Sequence, residues 1–403
     1  MTSAKQSNPW HARAELVARW LEDFIVRQMR QLRANYVAPE CFTGLMLNRD
    51  DADIDSIELI DVASALYVAL DAEASGSLDA QQRGAKAIGR SFASWCAFVE
   101  YAAARADTLS FYTSGSTGKP RRIEHQLRDL IREISDFLPQ LCADGFTPKR
   151  IVTIMPSQHL YGFLFGVLLP AQLNLPVLAL KGQAAPLVRA QLQPGDILIA
   201  HPNFWTAALQ TGALLSDVDA GNANRSLWPV PMVGLSSGQA LPEAVFFAAS
   251  AKHFRMLEIY GATETAGIAW RDAPGPMRLM ARYGFSEFSQ LIDHYHRGRT
   301  IAAPDQLEHY QDGRLNVIAR LDRVVQVAGE NVHLEHVERV IRTATGVQAV
   351  RVGFDASSQR LSVWLVSQAL DEALLRRQLQ AQLSSAEMPT RWHFVNALPA
   401  NDS

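Results

Sequence analysis

The chain has little that would tie it to an oxidising compartment or a membrane. Its three cysteines, Cys41, Cys96 and Cys142, are scattered, form no C-x-x-C pair and cannot all be bridged. That argues against a disulfide framework and against a structural zinc site. No stretch approaches the ~20 consecutive apolar residues that a membrane span needs, and the N-terminus carries Trp10 but no apolar run behind basic residues. Charge of neither sign dominates: 38 Lys and Arg stand against 41 Asp and Glu, a net of −3. Nucleic acid and anionic membrane are therefore not expected as partners, and a cytoplasmic protein working on small molecules or other proteins is. With 403 residues, 48% hydrophobic and 20% charged, the chain is long enough for two or three domains and has a globular composition throughout.

Two regimes of patterning follow one another. From about residue 12 to 105 the sequence reads as helical, with long stretches free of Pro and Gly at 12–34 and, Gly89 apart, at 85–106. Within it Asp55 is a good N-cap and Glu58 stands where a capping-box partner would, so a helix is expected from Ser56, turning Ile57, Ile60, Leu66 and Leu70 to a core. From Leu109 onward apolar runs alternate with helical stretches, the pattern of an α/β domain on a buried sheet. Strands are expected at 150–155, 177–180, 196–200, 231–235 and 256–259, and helices at 126–142, 187–193 and 243–251. A β-rich stretch at 313–328 leads into a smaller α+β tail.

The chemistry concentrates in four strings. Phe111-Tyr112 leads into Thr113, Ser114, Gly115, Ser116, Thr117, Gly118 and Lys119, hydroxyls, glycines and a cation in one turn-forming segment that suits wrapping around a polyphosphate. It is no Walker A loop, because the glycine before Gly118-Lys119 is only three residues back and Pro120 follows. Pro156-Ser157-Gln158-His159-Leu160-Tyr161-Gly162 follows an expected strand, placing His159 at a carboxyl end where α/β ligand sites form. Ser236-Ser237-Gly238-Gln239-Ala240-Leu241-Pro242 ends another strand in a turn. Tyr260-Gly261-Ala262-Thr263-Glu264-Thr265 offers an aromatic ring, a hydroxyl and a carboxylate suited to Mg²⁺.

In this order the strings resemble those of the adenylate-forming ligases, the superfamily of acyl-CoA synthetases, aryl-CoA ligases and nonribosomal adenylation domains. The resemblance runs from Leu109 to the end and implies an α/β fold. That fold is an adenylate-forming ligase core, a large α/β domain with the phosphate loop, flanked by a helical N-terminal region and a small mobile α+β C-terminal domain. The divisions expected are 1–107, 108–320 and 321–403. It further implies ATP and Mg²⁺ as cofactors, with Thr113 to Lys119 on the β- and γ-phosphates. Gly238, Gln239, Ala240, Tyr260 and Gly261 would lie along adenine, Thr263 on the α-phosphate, Glu264 on the metal and His159 facing the acyl carboxylate. Asp305, seven residues before Asp312-Gly313, matches the ribose-binding aspartate, with Arg320 near the ribose and Asp322 as the hinge of the small domain. The implied activity converts a carboxylic acid to acyl-AMP and then passes it to the pantetheine thiol of CoA or an acyl carrier protein.

Finer likenesses point further. The short, helical region before the phosphate loop resembles the compact enzymes beside aryl polyene and xanthomonadin-type pathways, which activate hydroxybenzoate- or cinnamate-like acids and load a carrier protein. Phe163, Phe204 and Trp205 are candidates for an acid pocket. The Asp55-Ser56 segment weakly resembles the modified helix start of acyl carrier proteins, though Asp53-Ile54 stands where the carriers have a glycine, and a plain capped helix explains it as well. The chain reads Ala397 to Ser403 and stops where the family's Gly-Lys segment would begin. An impaired acyl-adenylate- or carrier-binding protein of the same fold is therefore the alternative expectation.

Overall fold

The computed structural model describes residues 9–70, 89–113, 121–212, 232–251, 254–287, 290–303, 305–320, 324–367, 372–395 and 398. The chain divides into two compact units: Met1–Phe111, Arg122–Ile301 and Tyr310–Leu315 form the first, while Tyr112–Arg121, Ala302–His309 and Asn316–Ser403 form the second.

The first unit opens with helices α1 (Ala14–Leu32), α2 (Ser56–Ala69) and α3 (Phe92–Ala103). In α1, Leu16, Val17, Trp20, Leu21, Phe24, Ile25 and Met29 recur at helical spacing and are all buried. Helix α2 starts as its residues dictate: the Asp55 carboxylate accepts from the N–H groups of Ile57 and Glu58, and Glu58 accepts from the N–H of Asp55. Capping thus accounts for the Asp55-Ser56 pair. The expected buried face needs correction, because Ile57 and Ile60 are 73% and 53% exposed while Leu66 and Leu70 are buried. Leu59, Val62, Ala63 and Leu66 form the unbroken apolar stripe, and the helix turns that stripe inward.

Strands β1 (Thr108–Thr113) and β2 (Arg121–Gln126) pair with each other, and α4 (Leu127–Leu141) follows. Next come β3 (Arg150–Thr153), a helix built from α5 (Leu160–Phe163), a π turn (Leu164–Leu168) and α6 (Leu169–Leu173), then β4 (Val177–Ala179), α7 (Ala185–Gln191), β5 (Asp196–Ala200) and α8 (Pro202–Gln210). After these are β6 (Val233–Ser237), α9 (Glu243–Ala251), β7 (Arg255–Ala262), β8 (Ala266–Arg271) and β9 (Met277–Leu279), and then the short antiparallel ladder β10 (Tyr283–Phe285), β11 (Leu291–Asp293) and β12 (Arg299–Thr300). The sheet order β9-β8-β7-β6-β5-β3-β4 is parallel from β4 to β7 and antiparallel beyond. Strand β5 is buried along its whole length, as strands covered on both faces must be. Helix α7 begins at Ala185, two residues before the expected 187, because Pro186 suits a first helical turn.

In the second unit are β13 (Asp305–His309), the hairpin β15 (Val324–Val327) and β16 (Glu330–His333), helix α10 (Leu334–Arg342), β17 (Val347–Asp355), β18 (Arg360–Ser367), α11 (Glu372–Leu379) and β19 (Arg391–Phe394). Strand β14 (Arg314–Arg320) begins in the first unit, where Arg314 and Leu315 pair with Arg278 and Met277 of β9. The core of the second unit gathers Val327, Val332, Val337, Ile341, Val352, Val363, Leu365 and Leu375.

One charge chain in the first unit decides where the β7–β8 hairpin sits. Glu133 lies on the apolar face of α4 between Leu130, Ile134 and Phe137, fully buried. One carboxylate oxygen accepts the Gly267 N–H at 2.9 Å, and the other lies 3.8 Å from the Arg282 guanidinium. Arg282 donates to Asp293 at 3.1 and 2.8 Å, and His296 bridges Asp293 and Asp129 of α4 at 2.9 and 3.2 Å. Lost hydration pushes the Glu133 carboxyl up to about 7, against the opposing pull of the Gly267 N–H and of Arg282. A carboxyl raised in the folded state holds its proton there after the unfolded chain has released it. Its stabilising effect is therefore complete below about pH 4.5 and fades as pH rises towards about 7. Glu133→Gln keeps the acceptor for Gly267 but does not ionise. Denaturant unfolding of both proteins at pH 5 and pH 8 is expected to show the variant gaining about 1–3 kcal/mol on the parent at the higher pH. A difference that is the same at both pH values, or reversed, would refute the assignment.

Candidate active site

Strands β7, β6, β5 and β3 lie side by side and parallel, so the segments leaving their carboxyl ends share one rim of the sheet. In open α/β sheets that rim is where ligands bind. Three of the four motif strings arrive there by this topology alone.

After β3 the chain turns through Met155 to Gln158, and His159 caps α5. Gly162 makes this close: a Cβ there would stand 2.0 Å from the Pro156 carbonyl oxygen, so only glycine lets the helix follow so tightly on the turn. The loop is held from behind, for Asp23 of α1 accepts both the N–H and the hydroxyl of Ser157, at 2.7 and 2.6 Å. The His159 side chain reaches solvent with much protein around it. That environment lowers its pKa to about 4, chiefly through lost hydration and then through the like charge of Arg27, with Asp23 opposing. The ring is therefore neutral at pH 7.

After β6, Gly238 takes φ +100°, and Gly238 and Ala240 are exposed with Gln239 half-buried between them. The turn is fixed by Glu258 of β7, which accepts the Leu241 N–H at 2.8 Å and the Arg271 guanidinium at 2.6 Å. Burial raises the Glu258 pKa, and Arg271 and the Leu241 N–H pull it back.

The β7–β8 hairpin carries Tyr260 to Thr265. Ala262 pairs with Ala266 and the Thr265 N–H reaches the Ala262 carbonyl at 3.2 Å, leaving Thr263 and Glu264 at the tip. A register shift falls between Tyr260 and Gly261, where a Cβ on Gly261 would stand 2.0 Å from the Ala266 carbonyl oxygen. Ala266 sits at φ +59°, a left-handed conformation costing about 1 kcal/mol in an alanine. The hairpin tolerates this because it is anchored all round: Thr265 Oγ1 accepts the Ala262 N–H at 3.1 Å, the Thr263 carbonyl faces His125 Nε2 at 2.5 Å, and the Tyr283 hydroxyl donates to the Thr265 carbonyl. Glu133 completes the set at Gly267. Burial first, and the nearby Arg282, lower the His125 pKa, so its Nε2–H donates as part of a neutral ring. Glu264 is exposed at the tip. Among the described residues no three His, Cys, Asp or Glu side chains form a metal cluster. A single hard carboxylate does fit Mg²⁺, an ion that keeps few protein ligands and shares substrate phosphates.

His159, Gly238, Gln239, Ala240, Tyr260, Gly261, Thr263 and Glu264 therefore meet on one rim of the first unit. Thr113, at the end of β1, Asp305, buried at the start of β13, and Arg320, at the end of β14, belong to the second unit. Ser114, Gly115, Ser116, Thr117, Gly118, Lys119 and Asp322 lie outside the described residues. Phe163, Phe204 and Trp205 are buried, the last two within the cluster that packs α7, α8 and α9 on the sheet. The residues that fix the rim, Asp23, Glu133, Glu258, His125 and Tyr283, are absent from the motif strings. The signal that could have found Asp23 and Glu133 is a carboxylate on the apolar stripe of a helix.

The sequence profile of the AMP-binding enzymes matches residues 43–290. The 4-coumarate–CoA ligase of Rhodobacter capsulatus is 30% identical over 403 residues, covering 95% of this chain and 97% of that protein. The 4-coumarate–CoA ligase of Cereibacter sphaeroides is 28% identical over 297 residues, covering 72% of this chain and 68% of the other. Among solved structures, the o-succinylbenzoate CoA synthetase of Bacillus subtilis shares 15% identity and a TM-score of 0.58, over 73% of this chain and 66% of that one, a likeness of fold. No helix of the described residues is long and apolar enough to cross a membrane. With the profile spanning most of the chain and a mixed sheet of the same design, this protein belongs to the family of AMP-binding enzymes and has the α/β fold of the adenylate-forming ligases.

Proposed function

We propose that the protein joins a carboxylic acid to a thiol at the expense of ATP. The observation that carries the reading is the convergence of the His159 loop, the Gly238 turn and the Tyr260–Thr265 hairpin on one rim of the parallel sheet. The family and the CoA ligases among its relatives support it. In the first step a carboxylate oxygen of the acid attacks the α-phosphorus of ATP, the bond to the β-phosphate oxygen breaks, and pyrophosphate leaves with that electron pair, giving acyl-AMP. In the second a thiol sulfur attacks the acyl carbon, the thiol proton is lost and AMP leaves. His159, neutral, orients the acid. Tyr260 and Gly261 with Gly238, Gln239 and Ala240 flank the adenine, and the Thr263 hydroxyl holds the α-phosphate. Thr113 to Lys119 take the outer phosphates, and Asp305 and Arg320 take the ribose. Mg²⁺ held at Glu264 would supply positive charge beside the departing phosphates. Residues 321–403 act as a lid turning about Asp322 on the core of 108–320 between the steps.

The acid is aromatic, of the hydroxybenzoate or cinnamate kind, a reading supported by relatives named for 4-coumarate. CoA and a carrier protein present the same pantetheine thiol, and the carrier-loading role remains part of the proposal. Acid-dependent pyrophosphate exchange over a panel of aryl and alkyl acids, followed by thioester formation with CoA or with a carrier protein, tests all three points. Exchange with no acid of the panel would sink the reading.

Glu264→Gln keeps the shape of the side chain and removes its charge. Exchange is expected to fall by about a hundredfold or more with the fold intact, and a loss of only a few-fold would remove Glu264 from the metal site. The His159 assignment makes a pH prediction. With its pKa near 4 the ring stays neutral down to roughly pH 5. Its Cε1 proton resonance should be flat between about pH 5.5 and 8 and move only below that. A midpoint near the ordinary value of about 6.5 would show a ring that is not desolvated.

A further inference from the structure

The helical segment ahead of the phosphate loop touches the His159 loop in a way that goes beyond packing. Arg19, Asp23 and Arg27 stand at i, i+4 and i+8 of α1, one stripe of the helix. This helix makes several of the fixed points of the loop, beside the Thr153 hydroxyl, which accepts the Met155 N–H at 3.0 Å. Arg19 donates to the Met155 carbonyl at 3.1 Å and to the Gly166 carbonyl in the π turn beyond. Asp23 takes both donors of Ser157, at 2.7 and 2.6 Å. The Gln158 side-chain amide donates to the Trp20 carbonyl at 2.8 Å. Arg19, Asp23, Ser157 and Gln158 are all buried, and Asp23 carries a second partner in Lys181, which is itself half-exposed. A buried carboxylate with two donors from one residue holds that residue firmly, because losing either donor leaves part of a buried charge poorly solvated. Met155, Ser157 and Gln158 immediately precede His159, and little freedom is left for the residue that follows them.

We infer that Asp23, backed by Arg19, is the positioning residue that presents His159 to the acid, so that α1 forms part of the acid-binding apparatus although it carries none of the nucleotide motifs. The inference rests on the proposed role of His159. It separates the two substrates: the adenine-facing turn and hairpin are fixed by Glu258 and Glu133, not by α1, so a fault in the clamp reaches the acid and leaves ATP alone.

The test compares Asp23→Asn, Ser157→Ala and the double variant with the parent. Asp23→Asn is expected to raise KM for the acid by about tenfold, with KM for ATP within about twofold of the parent. Ser157→Ala, which removes one of the two donors, should give a smaller rise of the same kind, and the double variant should be no worse than Asp23→Asn, the mark of residues acting through one contact. In both single variants the His159 ring resonances should move while those of His201, which caps α8, stay. Unchanged KM for the acid in both variants would overturn the inference, as would an equal loss on acid and ATP, which is what a merely structural helix would produce. If Asp23→Asn does not fold, Ser157→Ala decides alone. If the parent shows no acid-dependent exchange, the proposed function falls; the His159 resonances then judge the clamp by themselves, and resonances unmoved in Ser157→Ala reject it.

Discussion

The candidate site depends on one physical constraint, that a carboxylate taken out of water must find donors to replace the water it lost. Three such carboxylates stand behind the rim, and each takes a backbone N–H from a different segment. Asp23 holds Ser157, Glu258 holds Leu241 and Glu133 holds Gly267. Each is also near a cation, Lys181, Arg271 or Arg282 respectively. Removing a donor from such a group costs far more than an ordinary hydrogen bond contributes, so the segment it holds has one position in place of many. Motif residues such as Gly238, Ala240 and Glu264 can then be exposed at their tips while their segments are fixed from within.

The arrangement also explains how the hairpin sustains an unfavourable backbone. Ala266 in the left-handed region and the bulge at Gly261 would relax in an isolated ribbon. Here His125, Tyr283 and Glu133 hold the hairpin at Thr263, Thr265 and Gly267, so distortion at one residue is opposed at three others. The strain is small beside the anchors. Its effect is directional, since it keeps Thr263 and Glu264 at the apex of the turn.

Much of this was legible in the sequence. The parallel strands could be read from unbroken apolar runs such as Ile197 to Ala200, and the rim from the polar strings that follow them. Helix α2 could be read from Asp55 and Glu58, but its buried face could not: Ile57 and Ile60 are as apolar as Leu59 and Val62, and only the packed surface chooses between the stripes. The carboxylates behind the rim were less legible still. Asp23 and Glu133 break the apolar periodicity of α1 and α4, which marks them as unusual without naming a partner, because Ser157 and Gly267 are each 134 residues away. A motif is short because the chemistry is local, and its support is spread along the chain because the fold is not.

The charge state of the rim places a requirement on the proposed reaction. His159 is neutral at pH 7 and Glu264 is an acid, so in the proposed site these two residues would offer hydrogen bonds and a metal ligand, with Arg27 the cation that acts on the His159 ring. In the proposed reaction the leaving-group charge would be met by Mg²⁺ and by Lys119. A neutral His159 suits this division, for a cationic ring would bind the acid carboxylate tightly and blunt its oxygen as a nucleophile, while a neutral donor aligns it at little cost to reactivity. Binding that is strong in the ground state gives no acceleration. In the proposed reaction the desolvation that keeps the ring uncharged and the clamp that keeps the loop in place would therefore serve the same end, orientation of the acid without neutralising it.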